Sequence, residues 1–143
     1  MKPLARYYAA AAGIDCATYM AVTGISYKAT RLGASTVELG LLPAVFSIVY
    51  VAATLLTGRL SDRAPRITLA RLGATLLAAA VALHWSARGM STLFLTMPLM
   101  AVAVALFWPS LQAALAEADD AARLNHNISH FNVAWSLGKG AGF

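Results

Sequence analysis

Apolar residues run through this sequence in stretches too long for a soluble core. Four of them, roughly 7–27, 37–56, 67–85 and 93–115, each approach the ~20 residues that a helix needs to cross a ~30 Å hydrocarbon layer. Polar links separate them at 28–35, 58–66 and 86–89, and a longer one follows at 117–127. The pattern predicts an all-α integral membrane fold with four full transmembrane helices. A fifth run, 127–143, holds seventeen residues, or ~25 Å at the helical rise. It barely reaches across, so it is expected to be a truncated span of a cut or split chain. Pro43 lies inside the second run, which a membrane helix tolerates when neighbouring groups satisfy the freed carbonyl.

The polar residues inside the runs are ordered too. In the first run Asp15, Thr18, Tyr19, Thr23 and Ser26 fall within about 140° of helical arc at 100° per residue. Ala9, Gly13, Ala17 and Ala21 occupy the opposite face, a small-residue ladder of the kind that brings helices close together. The fifth run repeats the design, with Ser129, Asn132, Ser136 and Lys139 on one face and Ala134, Gly138 and Gly142 on another. A simple anchor has no use for a polar stripe, whereas a helix lining a wet cavity does. Charges within a span cost at least ~2.5 kcal/mol at the bilayer centre and mark functional candidates. Asp15 and Lys139 lie at similar depth, so two readings of Lys139 stand side by side: pairing with Asp15, or snorkelling at the end of its helix.

Composition agrees with the pattern: 59% of residues are hydrophobic and 12% charged, about half the charged share of a soluble domain. The net charge of +5 does not point to a nucleic-acid partner, because the basic residues sit in the links rather than in a surface stripe. One side carries Lys2, Arg6, Arg59, Arg63, Arg66, Arg71 and Arg123, and the other only Lys28, Arg31 and Arg88. The positive-inside rule then puts the N-terminus and the 58–66 loop in the cytoplasm. Asp15 interrupts what would otherwise resemble a signal-peptide core after Lys2 and Arg6, so the first run is expected to be a retained helix. The single cysteine, Cys16, falls within that run and reads as a small packing residue.

The most specific local pattern is Gly58-Arg59-Leu60-Ser61-Asp62-Arg63-Ala64-Pro65-Arg66, directly after the second run. It resembles the signature of the major facilitator superfamily, Gly-x-Leu-Ala-Asp-Arg-x-Gly-Arg-Arg, in the same link. Gly58, Leu60, Asp62, Arg63 and Arg66 match, while Pro65 replaces a glycine and Ile67 a basic residue. A bare positive-inside turn would account for the arginines but not for Gly58, Leu60 and Asp62 at their spacing. Physically, Gly58 would allow close packing at the end of its helix, Asp62 would offer an acceptor to helix-terminal amides, and Arg63 and Arg66 could form charge-assisted bonds. Residues 106–113 and 131–138 resemble the fourth- and fifth-helix regions of many members. The embedded arginine and the fifth-helix Gly-Pro of drug/proton antiporters are missing.

The resemblance implies a secondary transporter of a bacterial inner (plasma) membrane, here the first five helices or so of a usual twelve. Gly58, Leu60, Asp62, Arg63 and Arg66 would latch its two halves, and a missing C-terminal half would be its partner besides the lipid bilayer. Asp15, Tyr19, Asn132 and Lys139 are the candidates for contact with a small solute. Asp15 would suit proton coupling, and Lys139 an anionic solute. Alone, such a fragment is expected to be inactive. A non-transporting membrane scaffold or subunit, or the product of an interrupted gene, are the rival readings. His126 and His130, four apart, lack a further ligand and read as interfacial polar residues rather than a metal site. Gly138, Gly140 and Gly142 lie in an apolar helix and form no phosphate loop. Neither a cofactor nor an enzymatic constellation is expected.

Overall fold

The computed structural model describes residues 3–61, 63–118 and 123–143. These form five helices: α1 (Pro3–Arg31), α2 (Thr36–Ser61), α3 (Arg66–Ser86), α4 (Met90–Glu117) and α5 (Leu124–Ala141). Local chemistry sets the ends. α1 runs past its apolar stretch because Lys28 and Arg31 in its last turn suit the negative end of the helix dipole. It stops where Gly33 takes a φ of 82°, with Ala34 N–H donating back to the Ala29 carbonyl at 3.0 Å. α2 then opens on a capping box. The Ser35 N–H donates to Glu38 Oε2 at 2.8 Å, and the Glu38 N–H donates to Ser35 Oγ at 3.3 Å.

α2 also extends further than its apolar run, so Gly58, Arg59 and Leu60 occupy its last turn rather than a loop. Pro65 caps α3 with extended backbone, and its carbonyl accepts from Thr68 N–H at 2.9 Å. The proline ring thus stands where a helix needs no donor. Its replacement of a glycine is compatible with a tight connection.

α4 is the hub, with α2 and α3 packed along it, while α1 packs along α5. Among the described residues, α2 (Thr36–Leu60), α3 and α4 are long and apolar enough to cross a membrane unaided. α1 and α5 are not among them, because each spends one face on polar residues. Half of the apolar window of α4 is buried against only 6% of that of α2. α2 therefore turns Ile48, Val51, Leu55 and Leu56 outward, toward lipid or another part of an assembly.

Glycines set the two tightest crossings. A Cβ at Gly73 would lie 2.7 Å from the Ala103 carbonyl oxygen, so α3 meets α4 backbone to backbone. Likewise, Gly138 abuts the Ala12 carbonyl, and a Cβ at Gly142 would lie 2.5 Å from that of Cys16. Of the expected α1 ladder, Ala21 packs against the buried core, whereas Ala9, Gly13 and Ala17 are exposed and nothing among the described residues lies within 4 Å of a Cβ at Gly13. α5 chose the row of Ala12 and Cys16 instead. That row adjoins Asp15 and Tyr19, so the same contact that seats the glycines faces the two polar stripes toward one another.

Candidate functional site

Part of each polar stripe lines a cleft of about 420 Å³ between α1, α2, α4 and α5. Three of the four residues singled out in the sequence line it: Asp15 and Tyr19 from α1, and Asn132 from α5. The fourth, Lys139, stands at its edge. Its Nζ lies 4.6 Å from the centre of the Tyr19 ring, a cation–π contact. Phe143 packs on the same tyrosine with ring centres 4.8 Å apart.

Asp15 is 5% exposed, and its Oδ2 has no hydrogen-bond partner among the described residues. Lys139 reaches this end of the cleft through its contact with the Tyr19 ring. It does not come within ion-pair distance of Asp15, however; the ion pair among the described residues is Arg66–Glu117 at 3.1 Å. The carboxylate therefore carries an acceptor that the fold leaves unused.

The other walls were not all anticipated. α2 contributes Tyr50 and Thr54, one turn apart, and α4 contributes Trp108 and Gln112. Thr54 returns its hydroxyl to the Tyr50 carbonyl at 2.7 Å. Trp108 is fixed edge-on between Phe107 (5.4 Å) and Phe131 (5.9 Å). Trp135, also in the wall, donates its indole N–H to Asn132 Oδ1 at 3.1 Å, which leaves the amide NH₂ of Asn132 for the cleft. The spacing of Tyr50, Thr54 and Gln112 on otherwise apolar helices was the available signal. Single polar residues there are indistinguishable in sequence from hydroxyls that satisfy themselves, as Ser26 does on the Val22 carbonyl at 3.0 Å.

At the 58–66 end of the bundle, Gly58, Leu60 and Arg63 are exposed. Among the described residues nothing lies within 4 Å of a Cβ at Gly58. Arg66 at the start of α3 pairs with Glu117 at the end of α4 and ties the two helices together. Asp62 lies outside the described residues.

A larger groove of about 730 Å³ runs between α1 and α3, walled by small and aliphatic residues such as Ala17, Gly24 and Leu77. Lys28 closes one end by donating to the Trp85 carbonyl, next to buried His84. Its walls suit acyl chains or another helix, whereas the smaller cleft suits a polar solute. The cleft offers a carboxylate, two amides, three hydroxyls and four aromatic rings. Among the described residues no group of three or more His, Cys, Asp or Glu side chains could hold a metal ion.

Comparison with curated proteins and with solved structures finds no match. The family model of the Major Facilitator Superfamily, in contrast, matches residues 8–143, which takes in all the cleft residues and the 58–66 segment. With its apolar helices, polar cleft and signature segment, this chain is an integral membrane protein that belongs to the Major Facilitator Superfamily of membrane transporters.

Proposed function

We propose that the chain is the N-terminal bundle of a secondary transporter that moves a small solute by alternating access through the cleft around Asp15. The observation that carries this reading is Asp15 itself, a buried residue in the wall of a cleft between four helices, whose Oδ2 has no hydrogen-bond partner among the described residues. An intramembrane charge that the fold does not satisfy is expensive, and a solute or a proton can supply the missing partner. In this reading Asp15, Tyr19 and Asn132 contact the solute, Lys139 balances Asp15, and protonation of Asp15 couples transport to a proton gradient.

The N-terminus and the 58–66 end face the cytoplasm, in accord with their basic residues, and the membrane is a bacterial inner membrane. The exposed Gly58, Leu60 and Arg63 belong to a surface that a second, C-terminal bundle covers, with Asp62 and Arg66 completing the latch. Without that second bundle the five helices supply one wall of the pathway and do not transport. A second reading, a scaffold that associates through the exposed row of Ala9, Gly13 and Ala17, draws on a real feature of α1.

Metabolite profiling separates the two. Cells expressing the protein from its own gene are expected to differ from deletion cells in the level of at least one small solute. Asp15→Asn is expected to abolish that difference at unchanged membrane abundance. Identical profiles for wild type and deletion would favour the scaffold.

A further inference from the structure

Among the described residues the cleft has one charged side chain in its walls, the carboxylate of Asp15. Around it stand the rings of Tyr19, Tyr50, Trp108 and Trp135. Aromatic faces carry partial negative charge and attract cations. A ring face and the carboxylate favour the same sign of ligand, and the carboxylate repels an anion. Thr54, Gln112 and Asn132 add neutral hydrogen-bonding groups without changing that sign.

Lys139 provides an internal demonstration. Its ammonium rests over the Tyr19 ring, yet forms no ion pair with Asp15 and stays outside the cleft wall. The edge of the site already accommodates a primary ammonium. Deeper in, Asp15 is 5% exposed and its Oδ2 has no partner among the described residues.

We infer that the cleft takes a small organic ammonium ion, with Asp15 as counter-ion, the four rings as walls, and Lys139 as a resident cation that competes for the same carboxylate. This rests on the transporter reading for the role of the cleft and adds the class of solute. It reverses the expectation that Lys139 selects an anion. Lys139 instead weakens the site for cations and so favours release.

The test compares three probes that share a phenylethyl frame, at neutral pH on the purified chain in lipid nanodiscs: 2-phenylethylammonium, 2-phenylethanol and 3-phenylpropionate. The ammonium probe is expected to bind at least about tenfold more tightly than the alcohol, with the carboxylate weakest. Asp15→Asn should erase the preference, and Lys139→Gln should tighten ammonium binding by about threefold or more, since a competing charge is gone. Should Asp15→Asn fail to fold, the ranking on the wild-type chain and the Lys139→Gln shift decide alone. Equal binding of ammonium and alcohol, tighter binding of the carboxylate, weaker ammonium binding by Lys139→Gln, or no binding of any probe would each overturn the inference. Binding needs no transport, so the two readings fail separately. Ammonium preference without solute movement overturns only the transporter reading, and Asp15-dependent movement of an anion overturns only this one.

Discussion

Burying a carboxylate in a helix bundle without giving both oxygens a partner costs stability, and among the described residues Oδ2 of Asp15 has no hydrogen-bond partner. Such a group persists because of what it does. Asp15→Leu is therefore expected to raise the stability of the protein by about 1–3 kcal/mol, read as a higher melting temperature in detergent, while removing uptake. A lower melting temperature would mean that Asp15 holds the bundle together instead. Arg66 and Glu117 are the opposite case. Their side chains are 30% and 62% exposed, and an exposed pair contributes at most about 1 kcal/mol. Glu117→Gln should leave the melting temperature nearly unchanged, and a large drop would show that the pair does more than join two helix ends.

Helix number and the polar stripes were legible from periodicity alone, because a membrane imposes both length and facing on a helix. Partner choice was not. The ladder of Ala9, Gly13 and Ala17 and the row of Ala12 and Cys16 are both small, and sequence does not say which of them a neighbour will take. The outcome follows from the whole contact: the second row seats Gly138 and Gly142 and also brings Asp15 and Tyr19 to the polar face of α5. For the same reason Asp15, Tyr19, Asn132 and Lys139 stood out as charged or polar residues in spans, but the contributions of Tyr50, Thr54 and Gln112 needed α2 and α4 in place. The capping box of Ser35 and Glu38 was readable as Ser-x-x-Glu, and it explains why the link after α1 is so short. The α1–α5 contact makes a sharp prediction. Gly138→Leu should destabilise by about 1–3 kcal/mol or more through overpacking against α1. Gly140→Leu, where nothing lies within 4 Å, should change stability by no more than about 0.5 kcal/mol. Equal melting temperatures for the two variants would contradict the backbone contact.

At the scale of the molecule, the bundle presents two surfaces that its own packing does not explain. One is the outward face of α2, and the other is the exposed turn carrying Gly58, Leu60 and Arg63. Both fit a bundle that works against a second one, the arrangement in which a cleft near the midplane opens first to one side and then to the other. Arg63→Ala is expected to leave the melting temperature unchanged, since Arg63 is exposed on the bundle, and to lower uptake by shifting the balance between the two open states. A matching loss of stability would make Arg63 a structural residue. The central claim, that the cleft around Asp15 is the solute pathway, is tested most directly by its access to water. Gln112→Cys in a Cys16→Ser background, in oriented membrane vesicles of the protein expressed from its gene, can be challenged with a membrane-impermeant thiol reagent from each side in turn. Modification from both sides, slowed in each case by bound solute, is the predicted result; modification from one side alone, or from neither, would contradict it.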